Sequence, residues 1–119
     1  MTDTRMLMTH IETLHHPAYD IAVESALENI GLIAVQKSAR FVLICNVLPE
    51  IERYLISPNP RIVAKAAYAL ECIAVSGGAD AVVETGCLSA LRTHVVNPDQ
   101  RMATRRACAA AIGFVYACT

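Results

Sequence analysis

The sequence predicts an all-α protein, a right-handed α-solenoid of about three repeats, and two observations support this fold class. The first is composition: the chain has 119 residues, of which 55 % are hydrophobic and 18 % are charged, enough apolar side chains for stacked helices. The second is a period of 40 residues, since segment 39–51 aligns without a gap with segment 79–91, apolar on apolar at most positions. A fixed period of this size is typical of units that bury their apolar faces only against one another.

Three proline-containing turns, at 15–17, 57–60 and 97–99, divide the chain, and a long helical pattern follows each of them. Proline fits the start of a helix because its missing N–H would be unpaired there. After the second turn, Ile62, Ala66, Leu70 and Ile73 recur at helical spacing, as expected for one buried face. We place the first long helix 43 residues before the second and the third long helix 40 residues after it.

Shorter helices precede each of the later two turns. A short helix over 80–85, a bend at Gly86 and a medium helix over 87–96 match 39–45, Asn46 and 47–56. We expect a positive φ at both bends, which Gly adopts most easily and Asn next. Each repeat is therefore a short helix, a Gly or Asn bend, a medium helix, a turn and a long helix. The chain forms one domain, 1–119, with repeats at about 1–38 (partial), 39–78 and 79–119.

The composition narrows the compartment and the partner. A net charge of −1 gives no global attraction to nucleic acid or anionic membrane. The five cysteines are odd in number and form no Cys-x-x-Cys pair, which favours buried free thiols in a reducing compartment, the cytoplasm or the nucleus. No signal-peptide pattern is visible, and the longest apolar stretch, 107–118, is shorter than the ~20 residues of a membrane-spanning helix.

The chain contains no motif that indicates an enzyme. Ser-His-Asp, Walker, GxGxxG and HExxH patterns are missing, so we predict no catalytic residue and no cofactor. His10, His15 and His16 cluster near the N-terminus, but a metal site needs three or four ligands in fixed geometry. We expect these histidines to be surface residues and predict no metal ion.

The repeat unit resembles the armadillo repeat, a close relative of the HEAT repeat, over nearly the whole chain. Segment 82–91 looks like the end of that family's first helix, its glycine and the start of its second helix, and 67–74 looks like the core of its third helix. In this family the third helices line a concave groove that binds extended peptides. The resemblance therefore implies a non-catalytic scaffold or adaptor that binds other proteins.

The resemblance also identifies groove positions. In nuclear-import adaptors of this family, Trp and Asn four residues apart on the third helix hold the peptide backbone. The corresponding positions here are Ser25 with Asn29, Tyr68 with Cys72, and Cys108 with Ile112. Only Asn29 matches and the chain contains no Trp, so binding of a nuclear-localisation signal is not implied.

Four cations occupy equivalent places on two successive long helices: Arg61, Lys65, Arg101 and Arg105. We predict that they form one concave basic strip that binds an acidic or phosphorylated segment, with Asn29, Tyr68 and Cys72 also contacting the partner. The alternative is a solvated outer face of amphipathic helices. The same two interpretations, partner selection or a solvated face, apply to the acidic edge at positions 20, 24 and 28.

The end of the chain suggests a second function. Segment 107–118 is almost wholly apolar, and a terminal solenoid helix has a neighbour on one side only. We predict that Ile112, Phe114, Val115 and Tyr116 mediate self-association, two-fold or head to tail, or continue a longer array. In this alternative the chain is a structural assembly unit and forms homo-oligomers.

Overall fold

The computed structural model describes residues 2–119, with side chains from residue 3 onward, and all regular secondary structure in that range is helical, as predicted. The helices are α1 (Thr2–His15), α2 (Asp20–Gln36), α3 (Ala39–Leu43), α4 (Leu48–Tyr54), α5 (Pro60–Ile73), α6 (Ala79–Val83), α7 (Cys87–Val96) and α8 (Met102–Ala117). A π-helical turn, Ala74–Gly78, joins α5 to α6.

Local sequence signals explain where the helices begin and end. The three predicted turns separate α1 from α2, α4 from α5 and α7 from α8. Asn59 caps α5 because its Oδ1 accepts the Arg61 N–H at 2.9 Å, and Pro60 is the first helical residue. Gly77, with φ 108°, turns the chain between α5 and α6 in a conformation that side chains with a Cβ rarely adopt.

The two predicted bends differ from each other. Asn46 has the expected positive φ of 56°, whereas Gly86 has φ −80°, so the prediction of a positive φ at Gly86 is wrong. A Cβ on Gly86 would lie 2.7 Å from Glu52 Oε2 on α4. Glycine at this bend therefore leaves room for a neighbouring side chain, while the backbone itself is unstrained.

The helices form two rows. The long helices α2, α5 and α8 pack side by side in chain order, while α1 packs on α2, α4 on α5 and α7 on α8. The core lies between the rows and includes Leu70 and Leu91, both fully buried as predicted. Each long helix thus has one face against the second row and at least one edge against a neighbouring long helix.

The contacts between α2 and α5, which we call the α2–α5 seam, show that these helices run parallel. Glu24 lies 3.5 Å from Arg61, and Glu28 lies 2.5 Å from Lys65. Further along both helices, Gly31 lies against Cys72. Because the contacts advance in the same direction on both helices, their axes point the same way.

Hydrogen bonds tie the ends of successive helices together at matched positions. Tyr54 Oη donates to the Leu14 carbonyl at 2.6 Å, which joins the C-terminal ends of α4 and α1. His94, 40 residues after Tyr54, contacts the Leu55 carbonyl through Nε2 at 2.5 Å, which joins α7 to the end of α4. At the other end, Thr104 Oγ1 donates to the Pro60 carbonyl at 2.9 Å. The same kind of link therefore recurs between successive elements.

The spacing of the long helices differs from the predicted spacing. Asp20, Pro60 and Met102 begin α2, α5 and α8, which places α5 40 residues after α2 and α8 42 residues after α5. Buried positions agree with these offsets: Val23, Ala26, Ile30 and Ile33 match Val63, Ala66, Leu70 and Ile73, and Ile62, Ala66, Ala69 and Ile73 match Thr104, Cys108, Ala111 and Val115. The predicted offsets of 43 and 40 are both wrong. The two additional residues lie in the turn before α8, where added length costs little.

One helical segment in the described part of the chain, Pro60–Val83, has the length and apolar composition of a membrane-spanning helix. In this fold, 56 % of its most apolar window is buried among other helices, and the positive φ of Gly77 interrupts it. Its apolar character is accounted for by its position as the central long helix.

Replacing Tyr54 by Phe tests the recurring links between helix ends. We expect Tyr54→Phe to lower the free energy of unfolding by about 0.5–1.5 kcal/mol, because a buried hydrogen bond is lost while Arg53 still donates to the Leu14 carbonyl. Tyr19→Phe is the matched control, since Tyr19 is 71 % exposed, and should change stability by less than about 0.5 kcal/mol. Equal losses in urea denaturation would contradict a stabilising role for the Tyr54 link.

Candidate binding surface on the long helices

The side chains of α2, α5 and α8 that point away from the second row form one surface, which we call the open face. It is made of three sets at matched positions: Glu24, Glu28 and Val35 on α2, Ala64, Tyr68 and Val75 on α5, and Arg106, Ala110 and Ala117 on α8. All nine residues are exposed or half-buried. The parallel packing of the long helices places these three sets side by side.

Charges in the middle of the open face neutralise one another. Arg61 and Lys65 pair with Glu24 and Glu28 across the α2–α5 seam. At the start of the same helices, Asp20 Oδ2 accepts a hydrogen bond from Asn59 Nδ2 at 2.9 Å. The acidic edge is therefore neither a plain solvated face nor a free site for a basic partner, because α5 supplies its partners within the chain.

The predicted basic strip is not formed. Arg101 is the exposed N-cap residue of α8, and Arg105 Nε donates to the Val95 carbonyl at the end of α7 at 3.0 Å. The cause is the 42-residue offset, which makes Ala103 and Ala107, not Arg101 and Arg105, the counterparts of Arg61 and Lys65. The prediction that these four cations line one groove is wrong.

The other predicted groove residues have separate positions. Asn29 Nδ2 donates to the Ser25 carbonyl on its own helix at 2.8 Å. Cys72 is buried against Gly31, so the prediction that it contacts a partner is wrong. Tyr68 is half-buried on the open face, where a hydrogen bond with Cys72 and then burial raise its pKa to about 12. Its hydroxyl therefore stays protonated and can donate a hydrogen bond to a partner.

The buried thiols are inert. Burial raises the pKa of Cys108 to about 11 and also raises the pKa values of Cys72 and Cys87. A thiolate is the reactive form of cysteine, so these three groups are poor nucleophiles at neutral pH. Cys45 is half-buried and Cys118 is exposed, and all five cysteines are free.

An apolar depression lies at the α8 end of the open face. It has a volume of about 340 Å³ and is lined by Ala110, Gly113, Phe114 and Ala117. Phe114 is 43 % exposed at its wall. Arg106, one helical turn before Ala110, is exposed and forms no ion pair or hydrogen bond within residues 3–119. An apolar anchor and a cation thus lie next to each other.

Sequence reasoning missed this pairing. It grouped Arg106 with the other outward arginines and assigned Phe114 to the terminal apolar surface. The signal that could have identified the site is the helical spacing of Arg106, Ala110, Gly113 and Ala117, which places them on one face of α8 once the buried face is known.

The predicted self-association residues divide into two groups. Phe114 and Tyr116 are exposed, and the Tyr116 ring and hydroxyl both contact Arg92 of α7. Ile112 is half-buried, and Val115 is completely buried in the core. Val115 therefore cannot contact another molecule in this fold, and its assignment to an association surface is wrong.

The N-terminal histidines are placed beside acidic side chains. His15 Nε2 lies 3.3 Å from Glu50, and His16 Nε2 lies 3.7 Å from Glu12. Burial lowers the pKa of His10. Across the described residues, no group of three or more His, Cys, Asp or Glu side chains is arranged to hold a metal ion.

No family model and no curated protein matches this chain. The functional interpretation therefore depends on the open face itself.

Proposed function

We propose that the chain is an armadillo-like α-solenoid of about three repeats whose open face binds a segment of another protein without catalysis. Three features support the repeat architecture: the parallel long helices in chain order, the matched buried positions, and the hydrogen bonds of Tyr54 and His94 to the preceding helix end. Repeats of this kind build an extended surface along one row of helices, and the open face has that form.

The observation that carries the proposed function is the apolar depression beside Arg106 on α8. A depression lined by Phe114 and small side chains accepts one apolar side chain of a partner and removes it from water. Arg106 can bind a carboxylate or phosphate through two parallel N–H donors. Together they select a segment that carries an apolar residue next to an acidic or phosphorylated residue.

The rest of the open face suits a segment that lies across several helices. Its central charges are paired, so it presents no strong field that would repel or trap a partner. Tyr68 adds a hydroxyl donor and Val75 an exposed apolar side chain between α2 and α8. We place this interaction in the cytoplasm or nucleus, where five free cysteines persist as thiols.

A displayed peptide library, with and without enzymatic phosphorylation, tests the proposal directly. We expect enriched peptides to share an apolar residue flanked by Asp, Glu or a phosphorylated residue. Phe114→Glu should weaken their binding by about tenfold or more, because it puts a charge into the depression, and Arg106→Glu should do so because it repels the acidic group. Fluorescence anisotropy on purified variants measures both effects.

Ile44→Glu is the matched control, because Ile44 is 74 % exposed at the bend between α3 and α4, outside the open face. It should leave peptide binding unchanged. The proposal fails if no peptide is enriched, or if enriched peptides bind Phe114→Glu and Arg106→Glu as tightly as the unmodified chain.

A further inference from the structure

The α2–α5 seam shows how this chain joins one long helix to the next. On α2, Leu27, Gly31 and Ala34 are buried where α5 and its surroundings pack. Gly31 allows close approach: a Cβ there would lie 3.1 Å from Cys72 Sγ and 3.3 Å from Ala69 Cα. The seam therefore requires a small residue in the middle of α2.

The same positions on α8 are uncovered. With the observed offsets, Leu27, Gly31 and Ala34 correspond to Ala109, Gly113 and Tyr116, which we call the tail edge. All three are exposed, and Tyr116 is 51 % exposed. A Cβ on Gly113 would meet nothing within 4 Å in the described structure. Glycine weakens the middle of a helix, and no contact within residues 3–119 accounts for it here.

At the opposite end of the row, α2 has an uncovered edge of the complementary kind. The residues of α5 that face α2 across the seam are Arg61, Lys65 and Cys72. Their counterparts on α2, 40 residues earlier, are Ile21, Ser25 and Leu32, which we call the head edge. All three are exposed, and Ile21 is 75 % exposed, so α1 does not cover this edge.

The charges at the two ends are opposite. Helices α1 and α2 carry five acidic residues, Asp3, Glu12, Asp20, Glu24 and Glu28, and a single basic residue, Arg5. Helices α7 and α8 carry no acidic residue and three arginines, Arg92, Arg105 and Arg106. Two-fold pairing of α8 with itself would bring the arginines of two copies together, whereas a head-to-tail arrangement brings unlike ends together.

We propose that a second copy of the chain docks head to tail, with the head edge of one copy on the tail edge of the other. The new contact repeats the α2–α5 seam, with Gly113 in the place of Gly31 and Ile21 and Leu32 in the places of Arg61 and Cys72. Because each copy keeps one free head edge and one free tail edge, assembly does not close on itself. The open faces of successive copies then form one longer face.

Sedimentation velocity on complementary variants tests this arrangement. The average mass of the unmodified chain should rise continuously with concentration over the micromolar range. Ala109→Glu blocks the tail edge and Ile21→Glu blocks the head edge, since each puts an unpaired charge into the contact. Each variant alone should associate at least about tenfold more weakly. An equimolar mixture should form a one-to-one complex, because one intact edge remains on each variant.

Two further variants keep the result interpretable. Ile44→Glu, which adds the same charge at an equally exposed isoleucine away from both edges, should associate as the unmodified chain does. Gly113→Leu fills the tail edge without adding charge and should also block association, while circular dichroism shows helicity that is unchanged or higher.

Three outcomes would overturn the proposal. The first is a chain that stays monomeric over the whole concentration range, and the second is an Ile21→Glu variant that still dimerises fully, which would indicate two-fold pairing through α8. The third is a mixture that fails to form the one-to-one complex. Peptide binding to Phe114 and Arg106 is measured on monomeric Ala109→Glu, so that failure of one proposal is distinguished from failure of the other.

Discussion

Truncating Leu70 or Leu91 to alanine should lower the free energy of unfolding by about 2–5 kcal/mol. Both side chains are completely buried, Leu70 on the central helix α5 and Leu91 on α7. The loss combines the transfer free energy of the removed carbons with the cavity that remains, because neighbouring helices relax only in part. Net stabilities of small domains are about 5–15 kcal/mol, so either change removes a large fraction.

Urea denaturation followed by circular dichroism measures these losses. Leu32→Ala is the matched control, because Leu32 on α2 is partly exposed, and it should cost less than about 1 kcal/mol. Losses below about 0.5 kcal/mol at both Leu70 and Leu91 would mean that the helices do not pack around these residues as described.

Leucine at Gly31 and leucine at Gly113 should have opposite effects on stability. In Gly31→Leu the new side chain meets Cys72 and the backbone of Ala69 at the α2–α5 seam. Overpacking of this kind costs about 1–3 kcal/mol, more than the gain in helix propensity returns. In Gly113→Leu nothing obstructs the side chain, so stability should rise by about 0.5–1 kcal/mol.

Thermal unfolding at low protein concentration separates these effects from association, which would add to apparent stability. A rise in stability for Gly31→Leu would contradict the tight α2–α5 seam. A fall for Gly113→Leu would mean that Gly113 has a structural role within the single chain, and would remove one reason for the proposed tail edge.

Short-range patterns account for the features of the fold that could be predicted. The prolines at the turns and the helical spacing of apolar residues indicate helices without reference to distant contacts. In the shorter helices the 40-residue period also matches burial: Ala39 and Ile51 are buried, as are Ala79 and Leu91. Large aliphatic side chains in these segments mark the buried positions clearly.

The position of α8 could not be predicted in the same way. Its buried face is formed by Thr104, Cys108, Ala111 and Val115. In a helix rich in alanine, several faces have similar apolar character, so a gapless alignment with α5 looks acceptable although it is two residues out. That error moved Arg101 and Arg105 onto the predicted groove and left Arg106 and Phe114 unnoticed as a pair.

Taken alone, the sequence determined that the chain is helical, where its turns lie, and that apolar units recur along it, because proline, glycine and apolar spacing act over a few residues. Only the tertiary structure decided which charges are free. Glu24 and Glu28 neutralise Arg61 and Lys65 because α2 and α5 lie side by side, although these pairs are far apart in the chain. It also decided which face of α8 is uncovered, because burial depends on the neighbouring helices, and no local pattern in an alanine-rich helix records them.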